Sequence, residues 1–124
     1  MQDGKYVILL LDDDADILET LRVVLEANGY IVATARSAEQ GLRVYKSTNP
    51  DLFLVDLMME EIDAGTTFAK EVRALGNTAP IYMLSSVGDN LNLTTDFSAL
   101  GLAGVFQKPI QTDVLLKLLK TRLK

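Results

Sequence analysis

Three short apolar runs carry no polar interruption: Tyr6-Val7-Ile8-Leu9-Leu10-Leu11, Leu52-Phe53-Leu54-Val55 and Ile81-Tyr82-Met83-Leu84. A strand with one face in water alternates apolar and polar residues, so a run apolar at every position is the pattern of a strand buried on both faces. The longest run is far shorter than a membrane span. Tyr30 to Thr34 and Gly104 to Gln107 are weaker strand candidates. Helical patterns lie between and after these segments. Ile17, Leu18, Leu21, Val24 and Leu25 share one helical face, which Gly29 can end. Ser37-Ala38-Glu39-Gln40 reads as a capping box, with Leu42 and Tyr45 continuing its apolar side and Asn49-Pro50 breaking it. Phe68, Ala69, Val72 and Leu75 make a third face closed by Gly76; Leu93, Phe97 and Leu100 make a fourth closed by Gly101. Thr112 can cap a fifth helix running from Asp113 to about Arg122. Strand then helix, five times over, predicts an α/β fold: a parallel sheet with helices on both faces and right-handed crossovers.

The chain has 124 residues, which suits one domain over 1–124 with no linker or second unit. With no Cys and no His, it lacks thiol chemistry, imidazole bases and imidazole metal ligands. Any metal would be a hard cation held by oxygen. Seventeen acidic against twelve basic residues, net −5, argues against direct binding to a nucleic acid backbone. The N-terminus lacks a basic region followed by a long apolar stretch, so the expectation is a cytoplasmic domain without a membrane anchor.

In an open parallel sheet, ligands bind beyond the carboxyl ends of the strands. The first strand ends in Asp12-Asp13-Asp14, the third in Asp56, the fourth in Ser85-Ser86 and the fifth in Lys108-Pro109. Each has an ordinary explanation. Asp14 suits a helix N-cap, Asp56 a turn, Ser85 a buried hydroxyl, and Lys108 an exposed strand end. Ordinary explanations do not require all four ends to be complementary. Three carboxylates, a hydroxyl and an ammonium on one edge would repel or pair in a way that calls for a divalent cation. An oxygen-only donor set with open positions suits Mg2+ or Mn2+. A carboxylate beside such a cation can act as a nucleophile toward phosphorus, with Lys108 and Ser85 placed to hold phosphoryl oxygens.

These four segments, Leu9 to Ile17, Asp51 to Met59, Pro80 to Ser86 and Phe106 to Ile110, together resemble the receiver domain of two-component response regulators. The resemblance covers essentially the whole chain. It implies a doubly wound, flavodoxin-like sheet in the order 2-1-3-4-5. It implies that Asp56 is the phosphoacceptor, and that Mg2+ is held by Asp13, by Asp12, by Asp56 and by the backbone carbonyl of Met58. It implies that Ser85 and Lys108 bind the phosphoryl group and switch, and that the Lys108–Pro109 peptide is cis. It further implies a sensor histidine kinase or phosphotransfer protein as partner. The receiver assists its own phosphorylation and dephosphorylation without being a conventional enzyme. Its output goes to a downstream protein or an output domain, through the surface formed by the fourth helix, fifth strand and fifth helix.

The chain departs from that pattern in places. Glu60 stands where the family usually has proline, and Gly65 comes one residue late. Val105 occupies the switch position commonly held by Tyr or Phe; Phe106 beside it belongs to the opposite face, because strand side chains alternate. Met58 and Val87, apolar at the two positions that tune dephosphorylation in the family, predict a long-lived acyl phosphate. Segment 86–96, rich in Gly, Asn and Asp, reads as a mobile connection. The leucines of the last helix exceed one inward stripe, through excess burial or, alternatively, a homodimer surface. The competing function is a pseudo-receiver, a protein-binding module that no longer takes phosphate. A haloacid-type hydrolase would want a second Asp at position 58, and a flavin module would want a hydroxyl- and glycine-rich loop where the three aspartates stand.

Overall fold

A computed structural model of the chain describes residues 4–56, 64–85, 102–108 and 110–123. The expectations at Met58, Glu60, Val87, Pro109, the 86–96 connection and the helix following the fourth strand fall outside these residues.

The element order is β1 (Val7–Leu11), α1 (Ala15–Ala27), β2 (Ile31–Ala35), α2 (Ala38–Thr48), β3 (Leu52–Asp56), α3 (Ala64–Ala74), β4 (Ile81–Ser85), β5 (Leu102–Gln107) and α4 (Thr112–Arg122). The five strands pair in parallel in the order β2-β1-β3-β4-β5. The three uninterrupted apolar runs are thus the three inner strands, and every residue of β1, β3 and β4 is buried. The two weaker candidates are the edges, where one side has no strand to cover it.

Strand alternation divides the core into two layers. Ile8, Leu10, Leu52, Leu54, Tyr82 and Leu84 face one side, where Leu18, Leu21 and Leu25 of α1 and Leu115 and Leu119 of α4 cover them. Leu9, Leu11, Phe53, Val55, Ile81 and Met83 face the other, against Phe68, Ala69 and Val72 of α3 and the partly buried Leu42, Val44 and Tyr45 of α2. Leu116, Leu118 and Leu123 are also partly buried against the first layer, so the surplus leucines of the last helix pack inward. Phe106 lies on that same layer with its ring 5.5 Å from Tyr82, while Val105, on the opposite face of β5, is exposed.

The helix boundaries follow their chemistry. Asp14 caps α1 by accepting from the Asp16 and Ile17 amides, and Ser37 caps α2 by accepting from Gln40. Asn49, at φ 49, closes α2 in the left-handed region that asparagine tolerates. Two expectations need correction. Thr112 is the first residue of α4 rather than its cap: Gln111 holds the cap position and makes no side-chain capping bond. Leu75 does not complete the buried face of α3; the helix ends at Ala74, and Leu75 is 53% exposed in the turn before Gly76.

Candidate functional site

Sheet order determines which strand ends meet. β1 and β3 are neighbours in a register that pairs Leu11 with Val55, so the next residues, Asp12 and Asp56, emerge side by side. β4 lies beside β3 with Asp56 opposite Leu84, and Ser85 follows. β5 closes the edge, where the Lys108 amide donates to the Ser85 carbonyl at 2.7 Å. Asp12, Asp56 and Ser85 are the buried polar side chains among the described residues, and all three sit at this one edge.

Within the edge the aspartates have different surroundings. Asp12 is fully buried; its Oδ1 accepts the Asp14 amide at 2.9 Å, and its Oδ2 meets Lys108 Nζ at 2.8 Å. Asp56 is 2% exposed, with Oδ1 3.4 Å from the same ammonium. Asp13 is exposed, and one oxygen from each of Asp12, Asp13 and Asp56 lies within 4.8 Å of the others. Asp14, the third acid of the run, is the α1 cap and belongs to the helix. Burial by itself would lower the Lys108 pKa; the carboxylates of Asp12 and then Asp56 outweigh it, and the net direction is upward.

The residues suit a small hard cation. Three carboxylates face one ammonium, so excess negative charge remains to be neutralised. The donors are oxygen throughout, and one of them opens to solvent, as a hydrated divalent ion needs. Mg2+ or Mn2+ fits this donor set; a soft metal does not.

All five predicted polar residues within the described chain, Asp12, Asp13, Asp56, Ser85 and Lys108, therefore come to one edge. One residue near it escaped the sequence reading. Arg36, just past the end of β2, donates from Nη2 to the backbone carbonyl of Asp13 at 3.0 Å. Its signal was positional: β2 also ends at this edge, and Arg36 is its first polar residue beyond Ala35.

The profile of the response regulator receiver domain family matches residues 8–120. The chain is 33% identical over 111 residues to the chemotaxis protein CheY of Bacillus subtilis, an alignment covering 89% of this chain and 91% of that protein. It is 36% identical over 111 residues to the transcriptional regulatory protein GlrR of Escherichia coli, covering 87% of this chain but only 24% of that regulator. The chain thus corresponds to about a quarter of the length of some relatives and to nearly all of another. Among solved structures, Vibrio cholerae chemotaxis protein CheY4 superposes with a TM-score of 0.85 at 27% identity, covering 97% of this chain and 100% of that one. A CheY-like receiver domain protein from Methanospirillum hungatei gives 0.86 at 26% identity, covering 97% and 94%. No helix of the described residues is long and apolar enough to cross a membrane.

Proposed function

Since the chain belongs to the family of response regulator receiver domains, we propose that its 124 residues work as one phosphoacceptor unit in a two-component phosphorelay. In this reading Asp56 takes a phosphoryl group from a phosphohistidine. These 124 residues contain no His, so in this reading the phosphohistidine lies outside them, on a sensor histidine kinase or a phosphotransfer protein. An Asp56 carboxylate oxygen attacks phosphorus, a P–O bond forms, the P–N bond breaks, and the electron pair returns to the partner's imidazole.

The chain's own groups serve this step by position and charge. Asp12, Asp13, Asp56 and the Met58 carbonyl would hold Mg2+, which when bound supplies positive charge for the phosphoryl oxygens. Lys108, which pairs with Asp12 and Asp56 at rest, turns part of its charge to the arriving phosphoryl group. The Ser85 hydroxyl, buried beside Lys108 at the end of β4, donates to another of its oxygens. The altered Ser85 and Lys108 contacts then carry over to the neighbouring β5–α4 surface, which a downstream protein or output domain reads.

The observation that supports this reading most is the convergence of Asp12, Asp13 and Asp56 oxygens within 4.8 Å, with Lys108 Nζ beside two of them. Incubation with Mg2+ and a small acyl-phosphate donor, followed by intact mass, tests it. Wild type should gain one phosphoryl group and Asp56→Asn none. An unmodified wild type would favour the pseudo-receiver, a binding module independent of phosphate.

A further inference from the structure

Asp13 is the exposed member of the acidic triad, so side-chain packing does little to aim its carboxylate. Its direction must come from the backbone, and the bonds around that backbone are specific. The Asp12 amide donates to the Ala35 carbonyl at 3.1 Å, which fixes the peptide before Asp12. The peptide between Asp13 and Asp14 is held at both ends: the Asp14 N–H by Asp12 Oδ1 at 2.9 Å and the Asp13 C=O by Arg36 Nη2 at 3.0 Å. Arg36 is itself steadied, because its amide donates to Gln40 Oε1 at 2.7 Å while the Gln40 amide donates to the Ser37 cap at 3.1 Å. The start of α2 is thereby linked, through one guanidinium, to the loop that carries Asp12 and Asp13.

We infer that Arg36 is a positioning residue for the acidic cluster: by holding the Asp13 carbonyl it aims the Asp13 carboxylate and raises the affinity of the site for Mg2+. The inference rests on the reading of Asp12, Asp13 and Asp56 as cation ligands. Groups that orient a metal ligand contribute to affinity without touching the ion. Charge alone predicts the reverse. A guanidinium beside the cluster repels a divalent cation, so deleting it should tighten binding if electrostatics were its whole effect. The sign of the change separates the two.

The experiment follows Mg2+ binding through backbone amide shifts in wild type, Arg36→Met and Asp13→Asn. Arg36 is exposed, so Arg36→Met, which keeps the apolar stem, should fold; thermal unfolding checks that. Affinity should fall about tenfold in Arg36→Met, the low end for a ligand-orienting group. In high salt, which screens the guanidinium's charge but not its bond to the carbonyl, the loss should be as large or larger. In metal-free protein the Asp13 and Asp14 amides should move on the same substitution. Unchanged or tighter binding in Arg36→Met overturns the inference while leaving the cation site standing. If wild type and Asp13→Asn take up Mg2+ alike, the cation reading itself fails and the inference goes with it.

Discussion

Lys108 is the residue on which the charge balance of the edge turns. Its ammonium lies against one fully buried carboxylate and a second that is nearly so. Removing one partner of such a group leaves charge without compensation, which costs about 3 kcal/mol or more. Lys108→Met should therefore be destabilised by roughly that amount in Mg2+-free urea unfolding at neutral pH. The pH dependence has a definite sign. The folded-state pKa of Lys108 is raised above 10.5, so its contribution is fully present below that value and is lost as pH rises through the raised one. The stability gap between wild type and Lys108→Met should accordingly narrow at strongly alkaline pH; a gap that widened there would contradict the pairing. Met58 and Val87 carry a second prediction at this scale. Neither side chain can orient a hydrolytic water, so label on phosphorylated protein should persist well beyond seconds, and loss within seconds would count against that role.

At the scale of elements, the caps and close approaches decide stability. Gln111 stands at the N-cap of α4 with extended backbone, φ −82 and ψ 107, yet its side chain makes no capping bond. Gln111→Ser should stabilise the protein by about 0.5–1 kcal/mol, measured by urea unfolding, because serine reaches the orphan amides that glutamine leaves. Gly41 is the converse case. Alanine is favoured over glycine in a helix by about 1 kcal/mol, but a Cβ at 41 would lie 2.9 Å from both Leu11 Cδ1 and Phe68 Cε1. Overpacking costs about 1–3 kcal/mol, so Gly41→Ala should lower the melting temperature despite the better propensity. The sequence pattern reveals elements like these unevenly. β1, β3 and β4 were legible because a strand covered on both faces cannot hide its apolar run. β2 and β5 were fainter because their outer edges have no strand beside them. The end of α3 was overrun because the helical spacing continues through Leu75 although the helix stops at Ala74. Arg36 went unnoticed because a side chain bonding a backbone carbonyl across the sheet leaves no periodic trace.

For the molecule as a whole, the order β2-β1-β3-β4-β5 converts four separate sequence segments into one site. Asp12 and Asp56 are far apart in sequence and adjacent only because β1 and β3 pair in the sheet's interior. Convergence costs the fold something: the sheet buries Asp12 and Asp56 beside the exposed Asp13 and supplies one ammonium against them. The excess charge opposes the approach of the β1 and β3 ends, the ammonium at the β5 end offsets part of it, and a bound divalent cation would relieve the remaining repulsion. Binding to the folded state alone stabilises it by mass action, about 2.7 kcal/mol at a hundredfold excess over the dissociation constant. Mg2+ should therefore raise the melting temperature of wild type in a saturable way, while NaCl at matched ionic strength should not. Asp13→Asn keeps the buried pairings of Lys108 and removes one proposed cation ligand, so its Mg2+-dependent rise should shrink sharply. An equal rise in wild type and Asp13→Asn would mean that the ion acts by general screening, and that the convergence of carboxylates at this edge serves something other than cation binding.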